Sequence, residues 1–248
     1  MRPESPPRPR PRNDRRTGTQ GPPDAVLFDM DGTLVETEQL WSEALFELAG
    51  RLGGRMSDAA RERTVGTSMA TSLRILYADL GVVRTEALLR ADAQWVEDAV
   101  GALMARGITW RPGAQQLLAE VRDAGVPTAL VTTTPRRLAA IVLRRIAADL
   151  GGDPFDLTVC GDEVPARKPD PAPYRLATRA LDVDPAACVA LEDSLVGVTS
   201  ALAAGAAVLG VPSLQPLPPA PGLTLRDSLA AVDLAYLAEL VGARSLTA

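Results

Sequence analysis

The 248-residue sequence contains no histidine, and lysine occurs once, as Lys168, among 26 basic residues. The first absence removes imidazole as nucleophile, general base or metal ligand, and with it Ser-His-Asp and Cys-His catalysis. Acid–base chemistry near neutral pH then falls to carboxylates. The lone lysine marks a place where a compact ammonium is wanted and a planar guanidinium fork is not. Cysteine is nearly absent too. Cys160 and Cys188 each end an apolar run, a pattern of buried free thiols and not of a disulfide framework. No apolar run approaches the ~20 residues that span a bilayer, and no apolar leader follows the first residues. A cytoplasmic protein without a membrane partner is expected, either a monomer or a weak homo-oligomer.

What is present is an ordinary globular composition, 46% hydrophobic and 23% charged, enough for one large domain or a core with an insertion. Charge is uneven. Residues 1–24 carry Arg2, Arg8, Arg10, Arg12, Arg15 and Arg16 against three acids, a sum of +3 that leaves −8 on the rest. The acidic body argues against nucleic acid as a partner. The Arg/Pro-rich head, residues 1–23, cannot bury a core and reads as a disordered tail.

Five short aliphatic runs, at 25–28, 128–131, 157–160, 188–191 and 207–211, have the length and composition of buried parallel strands. Helical patterns separate most of them. Pro112, Thr134-Pro135, Asp170-Pro171 and the Asp193-Ser194 pair open helices, and Gly125 and Gly205 close two. That rhythm predicts an α/β fold, a doubly wound parallel sheet. Between residues 36 and 106 the strand pattern stops. Leucines repeat at helical spacing in three stretches, from Leu40, from Leu73 and from Leu88. The chain therefore divides into a core, residues 24–35 and 107–248, and an inserted helical cap, residues 36–106. Pro212 to Gly222 holds five prolines and reads as a loop, followed by a terminal amphipathic helix from Leu229.

The strand ends carry the chemistry. Asp29 and Asp31, in Asp29-Met30-Asp31-Gly32, follow the first strand, where two carboxylates cost several kcal/mol unless a cation or donors compensate them. Thr132, Thr133 and Thr134 follow the second, Glu192 and Asp193 the fourth. Lys168, in Arg167-Lys168-Pro169-Asp170-Pro171, lies between the third strand and a helix. In an open parallel sheet these ends share one edge, where ligands bind. Each cluster has a purely structural use as a turn or a helix cap. Together they match a site for Mg²⁺ and a phosphate, with carboxylates for the metal and hydroxyl, ammonium and backbone N–H donors for the anion.

The segments DMDGTLVETE, RPGAQQLLAEVRDAGVPTALVTTT, RKPDPAPY and LEDSLVGVTSALAAGAAVLGVP resemble, in order and spacing, the haloacid dehalogenase-like hydrolases. The resemblance is to the helical-cap branch that includes β-phosphoglucomutase-like phosphatases. It implies that Asp29 is the nucleophile that forms an aspartyl-phosphate, and that Asp31 is general acid and then base, with its backbone carbonyl on the metal. Asp193 would be the second metal carboxylate, with Glu192 nearby or acting through water. Thr132, Thr133 and Lys168 would hold phosphoryl oxygens. Asp31 separates this pattern from the dehalogenases, which lack the second aspartate.

Three positions depart from the family. Trp41 stands where related mutases have a histidine, Met69 where they have a phosphate-gripping arginine, and Thr133 where the second motif has asparagine. With Thr67 and Ser68, Trp41 and Met69 are candidate substrate contacts. The resemblance implies a Mg²⁺-dependent phosphatase of a small phosphorylated metabolite, such as a sugar phosphate. A phosphomutase is the alternative, and a non-catalytic phosphate-binding regulator a third reading.

Overall fold

The computed structural model describes residues 21–64 and 67–245. All but three residues of the proposed 1–23 tail therefore lie outside the described residues. Strand β1 (Ala25–Phe28) leads through a tight turn to β2 (Val35–Glu36). Four helices follow: α1 (Glu38–Arg51), α2 (Asp58–Thr64), α3 (Met69–Leu80) and α4 (Glu86–Arg106). The chain returns on β3 (Thr109–Trp110), antiparallel to β2, with Val35 opposite Trp110. It then alternates through α5 (Ala114–Asp123), β4 (Thr128–Val131), α6 (Arg136–Leu150), β5 (Leu157–Val159), α7 (Ala172–Ala180) and β6 (Cys188–Glu192). The last elements are α8 (Leu195–Ala204), β7 (Ala207–Gly210), β8 (Leu223–Leu225) and α9 (Leu234–Ser245).

Six strands form one parallel sheet in the order β5-β4-β1-β6-β7-β8. Side-chain alternation sends the two halves of each strand to different layers. Val26 and Phe28 join a core with Leu117, Leu138, Val142 and Leu237, from α5, α6 and α9. Ala25 and Leu27 join a second core with Tyr174, Ala177, Val198 and Ala201, from α7 and α8. Helices thus cover both faces, which makes the sheet doubly wound. β1 is central and buried on both sides, so its C-terminal end lies mid-edge, flanked by those of β4 and β6.

Four differences from the sequence reading have physical causes. β8 was not foreseen: three residues directly after a proline-rich loop show no periodicity, and only backbone pairing with β7 makes them a strand. α2 was also missed, because Asp58–Thr64 buries only Ala60 and Thr64 and presents no apolar stripe. The β2–β3 ribbon consists of two-residue strands, below what periodicity resolves. The last helix starts at Leu234, not Leu229. Asp233 caps it, its Oδ1 accepting the Tyr236 N–H at 2.8 Å, while Leu229 is buried in the turn before. Among the described residues no helix is long and apolar enough to cross a membrane.

Candidate active site

β1 ends in a turn that only its sequence allows. Gly32 has φ +81, in the left-handed region, and a Cβ there would sit 2.1 Å from Asp193 Oδ2. The Gly32 N–H donates to the Val35 carbonyl at 2.8 Å, closing the loop that presents Asp29 and Asp31. Beside it, β6 delivers Glu192 and Asp193, and Ser194 caps α8 through the Gly197 N–H at 3.2 Å.

Lys168 is the hub. Its ammonium, in a buried residue, donates to Asp29 Oδ1 at 2.7 Å, to Glu192 Oε1 at 2.5 Å and to the Val131 carbonyl at 2.8 Å. Burial alone pulls its pKa down, but Asp29 and Glu192 outweigh that and hold it above the usual lysine value. Glu192 is fully buried and also accepts from the Tyr174 hydroxyl at 2.5 Å. Gly197 leaves room for it, since a Cβ there would sit 1.8 Å from Glu192 Oε2. Burial pushes the Glu192 carboxyl up to about 7, with Lys168 opposing and Asp29 reinforcing.

Asp31 is held by three hydroxyls. Thr37 Oγ1 donates to its Oδ1 at 2.5 Å; Thr134 and Thr132 donate to its Oδ2 at 2.6 and 3.3 Å. Burial, and then the Asp29 charge, raise its pKa and favour the protonated form. Asp193 accepts from the Ser213 hydroxyl. Burial, Asp29 and Glu192 raise its pKa well above the carboxylate range. On α1, burial and Asp31 push Glu38 up to about 7.

These groups meet in a cleft of about 530 Å³ between the sheet edge and helices α1–α4. Asp29, Asp31, Thr133, Lys168 and Asp193 line it from the sheet side, and Trp41, Thr67, Ser68 and Met69 from the helical side. Thr132 and Glu192 lie beneath the wall. The Thr132 hydroxyl faces Asp31 and accepts the Thr134 N–H at 3.0 Å, and Glu192 anchors Lys168 and Tyr174. Sequence reasoning passed over Thr37, Glu38, Tyr174, Ser213 and Arg61, and took Thr134 only as part of its strand-end cluster. The first three lay inside the quoted motifs, while Arg61 and Ser213 carried no local signal.

Carboxylate oxygens of Asp29, Glu192 and Asp193 all lie within 4.8 Å of one another, and all three residues are buried. A single ammonium cannot offset three such charges. An all-oxygen set of this kind fits a hard divalent cation such as Mg²⁺. Asp29 and Asp193 line the cleft whereas Glu192, bound to Lys168 and Tyr174, does not, so Asp29 and Asp193 are the carboxylates placed to hold such a cation.

The raised carboxyls have a thermodynamic consequence. Their folded pKa values exceed the unfolded ones, so the native state holds extra protons, and stability falls as pH rises from about 4.5 through about 7. The metal-free protein is expected to lose on the order of 5 °C of Tm between about pH 5.5 and about pH 8. Mg²⁺ is expected to flatten the slope. Thermal melts with chelator and with Mg²⁺ check this; a metal-free Tm that rises with pH would contradict the charge balance drawn here.

Comparison with known proteins agrees with this geometry. A model of the haloacid dehalogenase-like hydrolases matches residues 23–205. Protein CbbY of Cereibacter sphaeroides is 36% identical over 198 residues, 73% of this chain and 81% of that protein. The phosphorylated carbohydrates phosphatase of Thermotoga maritima is 34% identical over 182 residues, 73% and 82% of the two chains. Among solved structures, a CbbY variant from Rhodobacter sphaeroides in complex with xylulose 1,5-bisphosphate superposes with a TM-score of 0.73 at 32% identity, over 87% of this chain and 99% of that one. The chain belongs to the haloacid dehalogenase-like hydrolases, in their phosphatase branch.

Proposed function

We propose that this protein is a Mg²⁺-dependent phosphatase that hydrolyses a small phosphorylated carbohydrate through a phosphate ester on Asp29. The observation that carries the reading is a division of labour between two carboxyls in one cleft. Asp29 is held by the Lys168 ammonium at 2.7 Å, and Asp31 sits beside it where protonation is favoured. A carboxyl oriented by an ammonium can attack, and a neighbouring carboxyl that favours its proton can give it up.

Asp29 attacks phosphorus, and the bond to the leaving alcohol oxygen breaks. Asp31 gives that oxygen its proton. Asp31, now a carboxylate, takes a proton from water as the water oxygen attacks phosphorus, and the Asp29–phosphate bond breaks to release inorganic phosphate. The Lys168 ammonium offers its charge, and the hydroxyl of Thr133 a donor, to the phosphoryl oxygens. Asp29, Asp193 and the Asp31 carbonyl would hold Mg²⁺, which when bound would supply positive charge to the phosphoryl group. Residues 36–106 form a cap over a core of 24–35 and 107–248, and exclude water from the cleft.

A phosphomutase shares the first step, but Trp41 and Met69 replace the histidine and arginine of that pattern. Phosphate release across a panel of sugar and polyol phosphates tests the proposal, with EDTA expected to remove activity and Mg²⁺ to restore it. Isomer formation without free phosphate would favour the mutase, and no turnover across the panel a binding protein. The two similar proteins above differ in what they are described with, a bisphosphate in one case and phosphorylated carbohydrates in the other. The number of phosphates accepted here depends on the helical wall of the cleft.

A further inference from the structure

Among the described residues, three cations stand in the cleft wall: Lys168, Arg167 and Arg61. Lys168 is committed to Asp29 and Glu192. Arg167 lies next to it on the sheet side, exposed to solvent, with Nε donating to the Gly161 carbonyl at 2.7 Å. Arg61, on α2, is thus the cation of the helical wall, where the far end of a bound substrate would lie.

Every nitrogen of its guanidinium already has a partner. Nε donates to Ser42 Oγ at 2.7 Å and Nη1 to Thr64 Oγ1 at 3.0 Å. Nη2 donates to Ser42 Oγ and, at 3.5 Å, to the Glu38 carbonyl. The Glu38 carboxylate stands 3.9 Å from Nη2, and both side chains are mostly shielded from solvent, at 16% and 23% exposure. An arginine so held cannot present a fork to phosphate without leaving its three acceptors, and its charge is matched by a carboxylate in the same wall. The rest of that wall is uncharged or paired. Thr67 and Ser72 share a hydrogen bond of 2.8 Å, and Ser68 and Thr71 one of 2.9 Å. Glu97 is bonded to Arg137 at 3.0 Å.

Resting on the phosphatase reading, we infer that Glu38 silences Arg61. The cleft accordingly takes substrates with one phosphate and an uncharged, hydroxyl-bearing tail, and rejects a second phosphate. Specificity here is a repulsion as well as a fit. A second phosphate would face the Glu38 carboxylate, whereas sugar hydroxyls can both donate to Glu38 and exchange bonds with the threonine and serine hydroxyls.

Binding can be read apart from turnover. Calorimetry at about pH 8, above the Glu38 value of about 7, on the full chain carrying Asp29→Asn, with Mg²⁺, compares glucose 6-phosphate with glucose 1,6-bisphosphate, which differ only by the second phosphate. Glucose 6-phosphate is expected to bind about tenfold tighter or more. Adding Glu38→Gln is expected to tighten the bisphosphate about tenfold, and adding Arg61→Met to that chain to abolish the gain. Equal or tighter bisphosphate binding before Glu38 is changed would overturn the inference, as would a Glu38→Gln gain that survives the loss of Arg61 or binding of neither compound. Phosphate release from p-nitrophenyl phosphate by the unaltered chain reports the phosphatase reading separately, so either idea can fall alone.

Discussion

Replacing Asp29 by asparagine is expected to lower turnover of p-nitrophenyl phosphate by on the order of 10⁴-fold or more, the scale on which single covalent nucleophiles fail. The fold is expected to survive. Asparagine keeps an oxygen that can accept from Lys168, which now lies 2.7 Å from Asp29 Oδ1. It also removes one charge from a cluster in which Asp29 raises the pKa of Asp31, Glu192 and Asp193 alike. Without metal the variant should therefore melt no lower than the parent. Steady-state kinetics and paired thermal melts check both halves. A rate near that of the unaltered chain would remove Asp29 from the nucleophile's role, and a collapsed Tm would mean that the lost activity reports unfolding.

Much of this arrangement was legible before any coordinates. Strands 25–28 and 128–131 were bounded as they stand, because buried parallel strands announce themselves as apolar runs closed by polar residues. The other three differed by one residue at an end, where a strand's last pair is a matter of hydrogen bonding and not of composition. The strand ends then placed Asp29, Asp31, Thr133, Lys168 and Asp193 on one edge by topology alone, and the cleft they line brings them together. What stayed hidden depends on side-chain direction or distant contacts. Three consecutive threonines look alike in sequence; only the fold turns Thr132 and Thr134 toward Asp31 and puts Thr133 and Thr134, but not Thr132, in the cleft wall. Tyr174 ends a quoted motif as an apolar-looking position on α7, until packing brings its hydroxyl to Glu192. Arg61 belongs to a polar helix with no motif, and its meaning comes wholly from Glu38 and Ser42 on a neighbouring helix.

Replacing Lys168 by methionine should cost both stability and rate, and the two losses can be separated. The ammonium is the cation that Asp29 and Glu192 share, and the Lys168 and Glu192 side chains are 2% and 0% exposed. Removing one partner of a buried pair leaves uncompensated charge and costs about 3–5 kcal/mol, which in a chain of this size is on the order of 10 °C in Tm. Protonation limits that cost. Lys168 lowers the Glu192 pKa, which nevertheless stands at about 7, so in its absence the carboxyl rises further and takes up a proton at neutral pH. Because that folded pKa lies above the unfolded one, the deficit is smallest below about pH 5 and grows as pH rises. The variant should accordingly fall furthest behind the parent near pH 8, measured by thermal melts across pH without metal. Adding Glu192→Gln removes the stranded charge and keeps an acceptor for the Tyr174 hydroxyl, so the double variant should recover most of the Tm. It should not recover turnover, because the ammonium proposed to face the transferring phosphoryl group is still missing. Recovery of rate along with Tm would make Lys168 a structural counter-ion only, and a single variant as stable as the parent at pH 8 would mean that the carboxylates are balanced by something other than this lysine.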